Sequence, residues 1–253
     1  MDRATDYESV GRRFEPCRAH SSKLISKGSA IKKKIKAILI SGPPGAGKSP
    51  LGEFLEKQSF SGLSFIHFDF GRQLRTILKD SGDSFTPPLD GYFTKDELRR
   101  IRQSVEKANL FEENDRELVR KIFRYFFLKK KVKAGAVLVL NGLPRHMAQL
   151  DWLEDLVEVV LVVELDCSEE TAIKRILNNL EKERKGREDD QPEVISRRYK
   201  LYKERTEPLL NYFRQIGIPV IRLKVDLDSD PRSLWAQLKL HPEFQPISLL
   251  ASR

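Results

Sequence analysis

Residues 37–49 read Ala37-Ile38-Leu39-Ile40-Ser41-Gly42-Pro43-Pro44-Gly45-Ala46-Gly47-Lys48-Ser49, and this stretch decides how the chain folds. An apolar run ends at Ser41, and the eight residues that follow fit the pattern G-x-x-x-x-G-K-[ST] at every fixed position. In that pattern a buried strand leads into a glycine-rich turn, whose backbone N–H groups face an anion at the start of a helix. The lysine reaches the outer phosphates, and the hydroxyl residue binds Mg²⁺. The stretch therefore predicts a phosphate-binding loop (P-loop) for a nucleoside triphosphate.

The composition is that of a soluble globular protein of one large or two small domains. The 253 residues are 33% charged and 40% hydrophobic. No apolar run approaches the ~20 residues of a membrane helix. We expect no secretory or organellar leader, and the distant Cys17 and Cys167 have neither metal nor redox spacing, so we expect a cytoplasmic protein. The net charge of +9 predicts an anionic partner. A nucleotide satisfies that need, so we do not expect a nucleic-acid partner. We also expect a monomer with no membrane partner.

Strand-like and helix-like patterns alternate after the P-loop. Apolar runs at residues 35–41, 63–68, 136–140, 157–165 and 218–223 predict five strands, and amphipathic helical patterns separate them. This alternation predicts an α/β fold with a five-stranded parallel sheet flanked by helices. Thr94 with Glu97 predicts a capping box, and Ser168 predicts a second helix start. Residues 1–34 lack a period and predict a basic flexible extension, residues 35–240 one domain, and residues 241–253 a tail.

Three further stretches resemble the nucleoside monophosphate kinases, and adenylate kinase most closely. Residues 140–145, Leu-Asn-Gly-Leu-Pro-Arg, followed by Gln149, are similar to the family's D-G-[FY]-P-R…Q signature. Residues 71–75, Gly-Arg-Gln-Leu-Arg, resemble the G-[DE]-x-L-R that opens the monophosphate-binding helix. Residues 187–212 contain R-E-D-D, then Arg198, Tyr202, Thr206, Pro208-Leu209 and Tyr212, as in the family's lid exit and following helix.

The resemblance implies a role for each matching residue. The catalytic residues are Lys48, Arg145, Arg187 and Arg198. ATP is bound by Gly42, Pro43, Pro44, Gly45, Ala46, Gly47, Lys48 and Ser49, with Arg175 lying on the adenine. The acceptor is bound by Asp69, Gly71, Arg75, Arg145 and Gln149, of which Arg75 and Arg145 hold its phosphate and Gln149 its base. Ser49 binds Mg²⁺ directly and Asn141 through water.

The implied activity is Mg²⁺-dependent phosphoryl transfer from ATP to a nucleoside monophosphate, with AMP as the leading acceptor. Within a P-loop NTPase fold, residues 70–134 would form a helical acceptor-binding insertion and residues 178–190 a short lid. The sequence departs from the family at Asn141, where the family has Asp, and at Phe70 and Arg72, where it has a hydroxyl residue and an acid. Arginines suit this chemistry because their planar donors neutralise phosphoryl charge.

Two other functions remain open from the sequence. A P-loop kinase of a hydroxyl acceptor, such as a nucleoside or small metabolite, could use Asp69 as its base, although Asp69 could equally cap the helix that starts at Phe70. A regulator that binds nucleotide without turnover would also keep the fold. The four catalytic cations argue against this, because binding alone does not require cations on both substrates.

Overall fold

The computed structural model describes residues 34–83, 91–130, 135–178 and 192–252. The extension predicted at residues 1–34 falls outside these residues except for its last position. The lid predicted at residues 178–190, which includes Arg187, falls outside them except for its first position.

A six-stranded sheet forms the centre of the molecule, with strand order β2-β3-β4-β1-β5-β6. The strands are β1 (Ile35–Ser41), β2 (Ser59–Phe60), β3 (Leu63–Asp69), β4 (Val137–Asn141), β5 (Val157–Asp166) and β6 (Val220–Lys224). The five predicted strands are present and parallel, so the predicted sheet is confirmed. The sixth strand, β2, pairs antiparallel with β3 at the edge. It has two residues, too few for any periodicity in the sequence to reveal it.

Helices cover both faces of this sheet. They are α1 (Lys48–Glu56), α2 (Phe70–Asp83), α3 (Lys95–Lys107), α4 (Arg116–Lys129), α5 (Glu169–Leu177), α6 (Pro192–Leu201), α7 (Glu207–Gln215) and α8 (Pro231–Leu240). A π-helical turn, Tyr202–Thr206, joins α6 to α7. Short 3₁₀ helices span Glu113–Asp115, Met147–Gln149, Asp151–Leu153 and Pro242–Ser252. In the part of the chain that the structure describes, no helix combines the length and the apolarity needed to span a bilayer.

The predicted helix caps are confirmed. The Thr94 hydroxyl accepts a hydrogen bond from Glu97 N at 3.2 Å, and the Glu97 carboxylate accepts one from Thr94 N at 2.7 Å. Ser168 Oγ accepts from Thr171 N at 3.1 Å at the start of α5. Each bond satisfies a backbone N–H that would otherwise lack a partner in the first helical turn.

The central strand β1 is buried on both faces, as expected in a covered parallel sheet. Ala37 and Leu39 belong to one hydrophobic cluster, which also contains apolar residues of α2, α3, α4 and α7. Ile38 and Ile40 belong to a second cluster on the other face, with α1 and α8. The helices α2, α3 and α4, which lie within the predicted insertion, thus pack on the first face.

The carboxyl ends of β1, β3 and β4 meet at one edge of the sheet. β1 ends at Ser41 and continues into the P-loop, whereas β3 ends at Asp69 and β4 at Asn141. The register pairs Asn141 with Ile40 on one side and with Asp69 on the other. Ligands of open α/β sheets bind outside these carboxyl ends, where connections diverge to the two sides of one strand.

Candidate active site

The P-loop depends on glycine at two positions. Gly47 precedes α1 with φ +91° and Gly45 has φ +81°, a region that side-chain-bearing residues rarely adopt. A Cβ on Gly45 would also lie 2.6 Å from the carbonyl oxygen of Ala172 in α5. The loop is therefore pressed against α5, and only glycine fits there.

Lys48 folds back over the loop. Its Nζ donates to the carbonyl oxygens of Gly42 at 2.7 Å and Pro43 at 2.6 Å. These contacts hold the ammonium group at the start of α1, on the side of the loop where phosphates bind in P-loop proteins. The lysine charge is thus in place before any ligand arrives.

Arg175 braces the P-loop from behind. The residue is 5% exposed, and its Nε donates to the Gly45 carbonyl at 3.0 Å. Its Nη1 donates to the carbonyl oxygens of Asp226 at 2.7 Å, Leu227 at 3.1 Å and Ser229 at 2.9 Å. The guanidinium therefore ties the loop to the segment after β6, which no sequence pattern indicated. Its contact with an adenine stays a prediction.

Ser49, Asp69 and Asn141 form one hydrogen-bonded cluster. Ser49 Oγ donates to Asp69 Oδ2 at 2.5 Å, and Asn141 Nδ2 donates to Asp69 Oδ2 and to Ser49 Oγ, both at 3.0 Å. Asp69 Oδ1 accepts from the backbone N of Arg72 at 2.9 Å. Asp69 therefore caps α2, as one sequence interpretation held, and also faces the hydroxyl predicted to bind metal.

A single cleft of about 600 Å³ runs from the P-loop to α2 and α3. Twelve of the predicted site residues line it: Pro44, Gly45, Gly47, Lys48, Ser49, Asp69, Gly71, Arg75, Asn141, Arg145, Gln149 and Arg198. The structure thus brings together residues that lie far apart in the sequence. Gly42, Pro43, Ala46 and Arg175 are not among the lining residues, and Arg187 lies outside the described part of the chain.

Two arginines, Arg145 and Arg198, lie close together in this cleft. Burial and the neighbouring guanidinium of Arg198 lower the pKa of Arg145 to about 10. Arg145 forms no ion pair with an Asp or Glu among the residues that the structure describes. Arg145 remains charged at neutral pH and lies beside a second guanidinium, so the site favours an anion.

The backbone of Arg145 is held at both ends. Its N–H donates to Gln149 Oε1 at 2.7 Å, and its carbonyl accepts from Thr206 Oγ1 in the π-helical turn at 2.7 Å. Gln149 Nε2 also donates to the carbonyl of Phe111 at 2.9 Å. Both ends of the Gln149 amide thus contact backbone, and its predicted contact with the acceptor's base has to use its remaining hydrogen-bonding capacity.

Sequence reasoning missed the outer wall of the cleft. Seven residues after the middle of α3 line it: Ser104, Val105, Glu106, Ala108, Asn109, Leu110 and Phe111. Ser104 Oγ donates to the Asn109 carbonyl at 2.9 Å. The Phe111 carbonyl oxygen lies 2.8 Å from His146 Nε2 and also accepts a hydrogen bond from Gln149 Nε2. The segment turns at Ala108, which has φ +52°, and carries no motif, so only its partners in the fold reveal it.

Known proteins match this chain over most of its length. A family model described as an AAA domain matches residues 38–196. An adenylate kinase of Prochlorococcus marinus (strain MIT 9301) is 30% identical over 209 residues, which cover 81% of this chain and 97% of that protein. The adenylate kinase of strain MIT 9515 is 30% identical over 72% of this chain and 87% of its own length. That of Rickettsia africae (strain ESF-5) is 27% identical over 71% and 87%.

The range that the family model matches includes the P-loop, the carboxyl ends of β3 and β4, and the first half of α6. The fold is that of a P-loop NTPase, as predicted, and the chain belongs to the adenylate kinase family of nucleoside monophosphate kinases.

Proposed function

We propose that this enzyme transfers the terminal phosphoryl group of ATP to a nucleoside monophosphate, with AMP as the leading acceptor, and gives two nucleoside diphosphates. One observation carries the proposal: a single cleft has cations on two walls. Lys48 stands at the P-loop, and Arg75, Arg145 and Arg198 stand in the same cleft. A triphosphate on the loop neutralises only the first group. The arginines suit the phosphate of a second nucleotide and the charge on the group in transfer.

The residues at the carboxyl ends of the strands suit the Mg²⁺ that such a reaction uses. Ser49, Asp69 and Asn141 offer hydroxyl, carboxylate and amide oxygens, the hard ligands that Mg²⁺ prefers. The described residues contain no group of three or more His, Cys, Asp or Glu able to enclose a metal. This is the pattern expected when the ion is held mainly by phosphates and water. Bound there, Mg²⁺ would neutralise charge on the phosphates.

The surroundings of Asp69 count against a hydroxyl acceptor. Its oxygens accept hydrogen bonds from Ser49 Oγ, Asn141 Nδ2 and the backbone N of Arg72. A general base has to face the acceptor's hydroxyl, whereas these contacts direct the carboxylate toward the P-loop serine and the start of α2. A monophosphate is already ionised near neutral pH and needs no base, which is consistent with a cleft rich in arginine.

A panel of acceptors tests the proposal. AMP, GMP, CMP, UMP and the four nucleosides are each incubated with ATP and Mg²⁺, and products are followed by anion-exchange chromatography. We expect a diphosphate from at least one monophosphate, with AMP best, and no monophosphate made from a nucleoside. Lys48→Ala serves as the inactive control and Lys57→Ala, an exposed lysine just after α1, as the matched active control. Phosphorylation of nucleosides alone would overturn the proposal.

Gln149→Met tests how the base is read. If Gln149 selects the base, the variant loses preference between AMP and the other monophosphates while its melting temperature holds. If its main role is to hold Arg145 N and the Phe111 carbonyl, KM rises for all four acceptors together and the melting temperature falls.

A further inference from the structure

We propose that Asp69 supplies the negative charge that attracts the metal ion of the bound triphosphate, in place of the carboxylate that the family carries at the position of Asn141. The proposal rests on the proposed function only in taking Mg²⁺–ATP as the ligand of the P-loop. It assigns the attraction of Mg²⁺ to Asp69 at the end of β3, whereas the resemblance to the family assigned the contact with Mg²⁺ to Asn141 at the end of β4.

The first support is geometric. Asp69 Oδ2 lies 2.5 Å from Ser49 Oγ, the hydroxyl at the metal-binding position of the P-loop. A metal ion bound to that hydroxyl therefore has the Asp69 carboxylate within reach of its own coordination or of its bound water. Glu106 is the other carboxylate among the residues that line the cleft, and no contact between Glu106 and Ser49 is found in the described part of the chain.

The second support is the register of the sheet. Asp69 and Asn141 are paired neighbours at the carboxyl ends of β3 and β4. Their side chains meet, with Asn141 Nδ2 3.0 Å from Asp69 Oδ2. Because both side chains contact Ser49, a carboxylate at position 69 and a carboxylate at position 141 would each lie beside that serine. The amide of Asn141 then acts as a donor to Asp69, whereas an Asp at position 141 would place two like charges side by side.

The third support is the charge balance of Asp69. The side chain is 5% exposed, and its hydrogen-bond partners are a hydroxyl, an amide and a backbone N–H, all neutral. No Lys, Arg or His forms an ion pair with it among the described residues. A buried carboxylate with no cation in ion-pair contact is costly, and a divalent ion brought by the nucleotide reduces that cost.

The test measures the effect of Mg²⁺ on nucleotide binding, with no acceptor present. The affinity for a non-hydrolysable ATP analogue is measured by calorimetry in excess Mg²⁺ and again in EDTA. In the parent we expect tighter binding with Mg²⁺. Asp69→Asn, which keeps the shape and can still cap α2, should weaken binding in Mg²⁺ by about 10- to 100-fold, the usual cost of losing a residue that supports a metal. Binding in EDTA should be equal or tighter, because a carboxylate near the phosphates is gone.

An exchange of the two residues sharpens the test. Asp69→Asn combined with Asn141→Asp returns one carboxylate to the cluster, and we expect it to restore most of the Mg²⁺ effect. Two results would overturn the proposal. One is an unchanged Mg²⁺ effect in Asp69→Asn. The other is equal weakening in Mg²⁺ and in EDTA, which would make Asp69 a structural residue.

The outcome is independent of the acceptor panel. If no monophosphate is phosphorylated but the Mg²⁺ effect depends on Asp69, the proposed function fails and this inference stands. If diphosphates form and Asp69→Asn keeps the Mg²⁺ effect, the reverse holds.

Discussion

The two walls of the cleft hold their cations differently. On the P-loop wall, Lys48 donates to two carbonyl oxygens of its own loop, at 2.6 and 2.7 Å. On the opposite wall, Arg145 lies beside Arg198 with its pKa lowered to about 10, and no carboxylate of the described residues pairs with it. The first wall holds its cation against backbone carbonyls, whereas the second places two cations side by side, an arrangement that a bound anion stabilises. We infer that the P-loop wall is preformed and that the acceptor wall depends on substrate for its electrostatic balance.

Removing Arg198 should break the acceptor wall most severely. We expect Arg198→Ala to lower kcat by ~10³, because an arginine that stabilises the charge of a phosphoryl group in transfer can be worth that much. The KM for ATP should change little. Lys200→Ala, an exposed neighbour on α6, is the control and should keep the parent kcat. A kcat within a few fold of the parent in Arg198→Ala would mean that its role is misassigned. Steady-state kinetics at saturating Mg²⁺ decide the matter.

Removing Lys48 should damage the P-loop wall in a different way. We expect Lys48→Ala to lower kcat by about 10², the loss typical for one electrostatic donor, and to weaken binding of ATP as well. We expect the two effects together because the lysine of a P-loop reaches the outer phosphates, both in the bound triphosphate and during transfer. If only one of kcat and the ATP affinity changes, the walls differ less than we infer.

The pH dependence of acceptor binding should single out Arg145. Burial and Arg198 lower its pKa to about 10, well below the ordinary value of an arginine, so the folded state disfavours its charge. That destabilising effect is fully present below pH 10 and disappears as the pH rises from about 10 toward the ordinary pKa of an arginine. A bound anion favours the charged form, so affinity for AMP should fall above pH 10 by about tenfold per unit, in calorimetry or equilibrium dialysis. Arg145→Met should bind weakly throughout and lack this decline.

The smallest expected effect is on the free energy of unfolding, which should change with opposite sign when the cation of each wall is removed. Lys48→Met leaves the Gly42 and Pro43 carbonyls without their donor and should destabilise the apo enzyme by about 1 kcal/mol. Arg145→Met removes a desolvated charge beside another cation, so the apo enzyme should be equally stable or more stable. Urea denaturation without nucleotide measures both. The same sign in both variants would contradict the contrast between the walls.

The sequence predicts those parts of the molecule that depend on short-range patterns. β1 begins and ends where the apolar run predicts, and the capping box of Thr94 with Glu97 forms as expected. The P-loop, Arg75, Arg145 and Arg198 share one cleft because motifs at strand ends converge in a parallel sheet. These features follow from periodicity and from motifs, which neighbouring residues determine.

Other features depend on contacts between distant residues. The meeting of Asp69 with Asn141 follows from the register between β3 and β4, which no local pattern determines. The wall at residues 104–111 is held by His146 and Gln149 through the Phe111 carbonyl, and neither end of that contact has a recognisable spacing. The contacts of Gln149 with the Arg145 N–H and the Phe111 carbonyl could not be predicted either, because no local pattern links these residues.

Arg175 makes the nucleotide loop depend on the last third of the chain. Its guanidinium joins the Gly45 carbonyl to the carbonyls at residues 226, 227 and 229, beyond the end of the region that the family model matches. A fragment ending at residue 196 would keep the whole P-loop motif and yet lack the acceptors that orient this arginine. Part of the framework that holds the loop is therefore supplied only by the segment after β6. The motif is local in sequence, but the anion site that it forms is also held by contacts with residues far along the chain.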